Sequence, residues 1–371
     1  MALTLHGTVS DNTVALDRKT ATPLIINGDM QIAQRGTSVT GITDSGYKAL
    51  DRFTAFLSDN GTWTQSQDTD VPSGYGFSSS MKFDCTTADT SVAASSLHLL
   101  RHMVEAINCQ VLKTGTSSAE TLTLAFWIKS SVTGTFICEI EKHDAGRSIS
   151  QAYTISSADT WEKKVLSFPA DTTGAITNDN GIGLGVHWAF GAGADYASGT
   201  LQTSWGSMTT NARFTGQVNG ASSTSNDILI TGVQLEVGTF DSNSIPDFQF
   251  EDATTSLTRC QRYCKVLGTG EASYQNFAEI AISSSTTVAH ARVDLAPEMR
   301  GIPSLSNSGN LGLGNGAAIV AMTAVAMNTD VDTKQSAGLT CTVASGLTAH
   351  KPYRVEQNNA SAATITLDAE L

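Results

Sequence analysis

The chain of 371 residues carries a net charge of −13, only 15% charged residues, and Ser plus Thr at about a quarter of all positions, against roughly 25% charged residues in an ordinary soluble domain. The length admits two or three domains of roughly 150 residues each. The acidic balance excludes a duplex-binding surface, which needs clustered Lys and Arg, and no run approaches the ~18 apolar residues of a membrane span.

Residues 1–23 are short and polar, with Leu3, Leu5, Val9, Val14 and Leu16 set among polar residues. They lack the basic start and apolar core of a signal peptide, cannot bury a core alone, and read as an arm that docks on something larger. From Leu24 to about Phe250 the pattern alternates with period two, the signature of half-buried strands. Leu24–Gly36 reads as strand, Asn-Gly turn, strand. Thr121–Lys129, Thr135–Ile140, Thr160–Pro169, Ile182–Phe190 and Ile228–Val237 read as further strands, and glycines 181, 183 and 185 thin one face of the fourth. One stretch breaks the rhythm: Ser95–Leu112 has apolar residues at 97, 99, 100, 103, 104 and 107, a helical spacing. Glu251–Leu267 is a second expected helix, capped by Asp252 or Thr255, with Leu257, Cys260, Tyr263 and Cys264 on one narrow stripe. Strand grammar returns at Ala278–Ile282, Val288–Leu295, Ala317–Met327, Leu339–Val343 and Thr364–Leu367. The glycine-rich Gly309–Gly316 lacks the Lys and Ser/Thr of a phosphate loop and reads as a turn.

Three motifs carry a resemblance. Asn27–Gly36 (NGDMQIAQRG) and Ile230–Gly238 (ITGVQLEVG) look like the opening and closing strands of a carbohydrate-binding-module-like jelly roll, in the form seen in bacteriophage tail-fibre and virion-appendage proteins. Cys260–Tyr263 (CQRY) resembles the element that follows that jelly roll, with Cys264 where the family has a second tyrosine. The Pro297–Pro303 turn, with Met299 and Arg300 inside it, and the chain end Leu367–Leu371 are similar to that family's C-terminal domains. The resemblance covers most of residues 20–267 and only the turn and terminus beyond. It implies an all-β chain: an attachment arm at 1–23, a jelly-roll β-sandwich at 24–250, a connecting helix at 251–268 and a C-terminal β domain at 269–371. It also implies a homotrimer, for which Leu257, Cys260, Tyr263 and Cys264 are the interface candidates. The apolar residues of the arm suffice for a strand or two whose edge would attach it to other virion proteins or, alternatively, extend its own jelly roll.

No catalytic constellation stands out. The seven histidines sit in no nucleophile or metalloprotease motif. His98 and His102, four apart on the expected helix, lack the glutamate of a zinc-binding helix, and the spacing reads as incidental. Glu139, Glu141 and Asp144 are close in sequence, but strand alternation puts Glu139 and Glu141 on one face, where solvent explains them without a glycosidase pair. Cys85, Cys109, Cys138, Cys260, Cys264 and Cys341 show no zinc spacing and are expected to be buried free thiols of a chain made in a reducing cytosol. Related carbohydrate modules commonly hold a structural calcium with an acidic pair in the last strand. This chain has Thr231-Gly232 there, leaving only Asn27 and Asp29 as candidate ligands, so neither a metal nor a cofactor is predicted.

Sugar binding in such modules uses exposed aromatic rings and polar side chains. Trp127, Trp161 and Trp205 occupy family-like structural positions, which leaves Trp63, Trp188 and Tyr196 as the glycan-contact candidates. The expected function is therefore a non-enzymatic virion protein, made in the host cytoplasm, that binds a host-surface glycan as a tail fibre or similar appendage. The alternatives are a head fibre or capsid decoration without a ligand and, disfavoured by the missing acid pair, a polysaccharide-degrading tailspike.

Overall fold

The computed structural model describes residues 18–268, 273–328 and 331–371, so most of the expected arm, residues 1–17, lies outside the described residues. Contacts divide the chain into two compact units, Met1–Asp252 and Ala253–Leu371. The first contains β1 (Ser38–Ile42), β2 (Gly46–Tyr47), β3 (Phe53–Ser58), β4 (Thr62–Asp68), β5 (Ser80–Thr87), β6 (Leu97–Glu105) and β7 (Leu122–Ser130). It continues through β8 (Gly134–Lys142), β9 (Arg147–Ile155), β10 (Glu162–Phe168), β11 (Ile182–Ala192), the one-turn helix α1 (Ala194–Ala197), β12 (Gly206–Ser207) and β13 (Asp227–Val237).

These strands form a jelly-roll sandwich of two antiparallel sheets, one ordered β1-β4-β5-β13-β7-β10 and the other β12-β9-β8-β11-β6-β3-β2. Alternation sends one row of each strand inward. Trp63, Phe83, Phe126 and Ile230 from the six-stranded sheet share a single core with Phe53, Leu100, Ile140 and Trp188 from the seven-stranded one. Ring contacts cross between the layers: Phe126 meets Trp188 edge-on at 5.8 Å between ring centres. Truncating such a buried ring to alanine costs about 3–5 kcal/mol.

The second unit opens with α2 (Ala253–Gln261) and β14 (Cys264–Leu267). It continues with β15 (Asn276–Ser283), β16 (Val288–Asp294), β17 (Ser304–Ser308), β18 (Leu311–Gly314), β19 (Ile319–Met327), β20 (Ser336–Val343), β21 (Pro352–Gln357) and β22 (Thr364–Asp368). Six strands close into a barrel ordered β15-β16-β20-β19-β18-β21, and β14-β22-β17 forms a separate three-stranded sheet. Leu313, Leu339, Cys341 and Val355 lie in the core of this unit. The turn and terminus singled out in the sequence meet here: Arg300 donates from Nε to the carbonyl of Ala369 at 2.7 Å and from Nη2 to that of Glu370 at 2.7 Å.

Three sequence expectations are corrected. Leu24–Ala33, buried as far as Met30 and half-buried beyond it, forms no strand, because Asn27 (φ 61°) and Met30 (φ 59°) turn the backbone left-handed. The Asn27 amide replaces a strand partner: it accepts from the Ile32 N–H at 2.8 Å and donates to the Ile32 and Asp51 carbonyls at 2.9 and 3.0 Å. The expected helix at 95–112 is β6 followed by a 3-10 segment, Ala106–Leu112. β6 runs between β11 and β3 with nearly every residue buried. Apolar residues on both faces of a strand imitate helical spacing.

The third concerns residues 251–268. The helix covers only Ala253–Gln261 and belongs to the second unit, and Cys264 already starts a strand paired with Asp368. Cys260, Tyr263 and Cys264 are buried within the single chain and Leu257 is half-buried. Three of the four residues expected at an oligomer interface are thus covered by the chain's own fold, and Leu257 is covered in part.

Candidate functional site

On the outward face of the six-stranded sheet, Trp127 of β7 stands opposite Lys163 of β10 and Thr231 of β13. Beside it β13 bulges between Thr231 and Gln234. Gly232 takes φ 61° in the bulge, and a Cβ there would lie 2.6 Å from Cζ of Phe77 and 3.0 Å from Cδ1 of Trp127. The bulge turns the Val233 N–H out of the ladder to donate to the Gly28 carbonyl at 2.9 Å. The two motifs at opposite ends of the sandwich therefore meet here, and glycine at 232 is what lets the two rings close in.

The result is an aromatic groove of about 370 Å³ lined by Tyr75, Phe77, Trp127, Phe248 and Phe250 together with Lys163, Gln234 and Asp247. Tyr75 and Trp127 pack at 4.4 Å and an angle of 50°, while Phe77 lies 5.2 Å from both Phe248 and Phe250. Tyr75 is 54% exposed and Phe250 45%. Gln234, only 6% exposed, donates from Nε2 to the Pro246 carbonyl at 2.9 Å, and its Oε1 has no partner. Burial lowers the pKa of Lys163, against the opposing pull of Asp247. Two residues along β7, Lys129 reaches Asp70 at 2.5 Å, and Trp161 Nε1 donates to the same carboxylate at 2.9 Å. Burial alone would raise the Asp70 pKa, but these two partners hold it below the usual range. Exposed rings beside an unpartnered polar atom, Gln234 Oε1, are suited to the alternating apolar faces and hydroxyl edges of a sugar.

The sequence candidates fall elsewhere. Trp63 and Trp188 are fully buried in the sandwich core and cannot stack on a ligand. Tyr196, on α1, is half-buried and lines a second groove of about 310 Å³ on the seven-stranded sheet, with Phe56, Arg101, Glu141, His143 and Arg213. Trp127, expected in the core, is half-buried and central to the first groove. Sequence reasoning passed over Tyr75, Phe248 and Phe250. The available signals were a tyrosine between Gly74 and Gly76 and two phenylalanines spaced by two just beyond the last sandwich strand.

Beneath the second groove lies a closed charge network. Glu139 is fully buried, contrary to the solvated face expected for it. It accepts hydrogen bonds from His187 Nδ1 at 2.9 Å and from Arg213 Nε at 2.9 Å, and Arg213 Nη2 adds a further bond. Burial would raise the Glu139 pKa, yet His187 and Arg213 bring it down to about 2. Glu139, Glu141 and His187 place ligand atoms within 4.8 Å of one another, but the Arg213 guanidinium already supplies the compensating charge. The calcium-type position does not fit a metal either: Thr231 donates its hydroxyl to the Ser79 carbonyl at 2.7 Å, and Gly232 offers no side chain. His98 and His102 share the inward face of β6 and are both buried, and His102 Nε2 accepts from the Ile26 N–H at 3.2 Å.

No family model matches the sequence, and no curated protein matches it. Solved structures resembling the chain include carbohydrate-binding modules and a phage tailspike domain. The enzymatically active domain of tailspike protein 4 of bacteriophage CBA120 aligns at 14% identity and a TM-score of 0.31, over 58% of this chain and 21% of that one. The match thus spans about a fifth of the tailspike domain. The family 11 carbohydrate-binding module of Clostridium thermocellum, solved with a mixed-linked tetrasaccharide, aligns at 11% identity and a TM-score of 0.27 over 56% of this chain and 98% of the module. TmCBM61, solved with β-1,4-galactotriose, aligns at 11% and 0.25, covering 49% and 86%.

Proposed function

We propose that this protein binds a host-surface glycan without cleaving it, as a subunit of a phage tail fibre or similar appendage. The observation that carries the glycan reading is the groove in which Tyr75 packs on Trp127, the exposed Phe250 lines the wall and the Gln234 Oε1 is left without a partner. The phage reading rests on the end motifs of the sandwich and the CQRY element. Assembly as a homotrimer, attached to the virion through the arm, belongs to the same proposal and draws on the same resemblance. The buried Cys260, Tyr263 and Cys264 lend it no support.

The charge network supports a reading without cleavage. Two closely placed carboxylates, Glu139 and Glu141, are both within reach of Arg213, and Glu139 stays ionised far below neutral pH, which does not suit it to act as the general acid of glycoside hydrolysis. The test is binding of the full chain to surface polysaccharide from candidate hosts, with reducing-sugar release measured alongside. Tyr75→Ala and Trp127→Ala should each weaken binding about tenfold or more, since a stacked ring contributes on the order of 1 kcal/mol or more beyond its area. No sugar should be released. Binding unchanged in both variants would overturn the site, a chain that binds none of the polysaccharides would favour a purely structural head fibre or decoration, and release lost on mutating a carboxylate pair would make the protein an enzyme.

A further inference from the structure

The second unit carries a polar trench of its own. On β21, Tyr353 and Val355 point into the barrel core, so alternation sends Arg354 and Glu356 to the outer wall. In register, Glu356 lies between Asn276 of β15 and Gly312 of β18, and Arg354 lies opposite Gly314. β18 sends Leu311 and Leu313 inward, so its outward positions are both glycine. A Cβ at Gly314 would collide with Oε1 of Glu356, and one at Gly312 with the side chain of Ile319. The glycine-rich stretch therefore leaves a strip of the barrel wall bare, and the Glu356 carboxylate lies down in it.

The trench measures about 510 Å³ and is lined by Tyr274, Asn276, Arg354, Glu356 and Asn358 among others. Glu356 is only 3% exposed although it faces outward. Its Oε2 pairs with Arg354 Nη2 at 3.4 Å, while Glu356 Oε1 and Arg354 Nε are both buried without a hydrogen-bond partner. One orphan is an acceptor and the other a donor. Such groups rarely stay unpaired, because stripping them of water without replacement is unfavourable. Tyr274, 54% exposed, adds an open ring at the rim.

We infer that this trench is a second carbohydrate site, taking an uncharged saccharide through its hydroxyl groups. A hydroxyl is donor and acceptor at once, so one hydroxyl, or a neighbouring pair, satisfies both Glu356 Oε1 and Arg354 Nε. The two side-chain charges cancel, which favours a neutral ligand over an anionic or cationic one. Tyr274 supplies the stacking face. This inference stands apart from the sandwich groove and requires nothing of it.

The test uses the full chain carrying Trp127→Ala, which silences the sandwich groove, and the methyl glycosides of glucose, galactose, mannose and N-acetylglucosamine as probes, followed by saturation-transfer NMR and calorimetry. At least one glycoside should still bind. Glu356→Gln and Tyr274→Ala should each weaken that binding about tenfold, and Gly314→Ala should abolish it by displacing the carboxylate. Tyr274 is exposed, so its variant remains informative if substitution at Glu356 or Gly314 impairs folding. The inference is overturned if none of the four binds, if binding ignores Glu356→Gln and Tyr274→Ala, or if spermidine binds in their place.

Discussion

The imidazole of His98 lies 4.7 Å from the indole of Trp63, ring centre to ring centre, with Phe83 and Phe190 closing around it at 5.5 and 5.3 Å. Neither ring nitrogen has a hydrogen-bond partner. Burial alone pushes the His98 pKa down from 6.5 to about 3. The folded chain thus refuses a proton that the unfolded chain accepts. His98 therefore contributes stability fully above pH 6.5 and loses it progressively as pH falls toward about 3, at about 1.4 kcal/mol per pH unit. His98→Phe should keep the aromatic packing while removing the proton. Urea midpoints measured from pH 7 to pH 5 should fall less steeply in the variant than in the wild type. The residual slope is expected from His187, also lowered by burial. Parallel slopes in the two proteins would refute the assignment.

Arg213 is the counterion of a carboxylate with no exposure at all. Removing one member of a buried pair strands the other charge, at a cost of about 3–5 kcal/mol. Arg213→Ala should therefore lower stability by that order at pH 7, read from urea unfolding. The sign with pH is fixed by Glu139, whose folded pKa of about 2 lies below its ordinary 4.5. Its contribution is present above pH 4.5 and is lost as pH falls toward 2, so the deficit of the variant should shrink in acid. A deficit independent of pH would point to lost packing over Phe214 instead, where the guanidinium stacks at 5.0 Å.

All six cysteines are free and buried. Burial pushes the Cys109 and Cys341 thiols up to about 12, which leaves on the order of one part in ten thousand as thiolate at pH 8. In the native protein no thiol should react with Ellman's reagent over minutes at pH 8, and all six should react once the chain is unfolded in guanidinium. Rapid release from the native protein would mean that at least one thiol is accessible.

The strands most legible in the sequence were those that keep one polar or half-exposed row. β7 and β10 have half-exposed positions, β13 is buried but keeps Thr231, Gln234 and Glu236 on its polar side, and the period-two rule located each within a residue or two. β6 was misread because burial on both faces erases that row. Leu24–Ala33 was misread for a different reason: its apolar residues do enter the core, but a side-chain amide rather than a neighbouring strand satisfies its backbone. The site was harder still. Whether a tryptophan is wall or floor depends on which row of the strand faces inward. Trp63 and Trp127 both sit in well-formed strands, yet only Trp127 belongs to the outward row, beside a bulge that the glycine at 232 permits.

The borders of the sheets govern how copies of this chain can crowd together. The seven-stranded sheet ends in two strands of only two residues each, β2 and β12. The six-stranded sheet ends in β1, whose pairing is broken by a register shift, and in β10, which carries Lys163 and Lys164 and stops before Pro169. The barrel closes on itself. An incoming strand would therefore find little regular backbone to template on at the borders of the seven-stranded sheet or on the barrel, which leaves β10 and the outer strands of the three-stranded sheet, β14 and the exposed β17, as the edges open to edge-to-edge pairing at high local density.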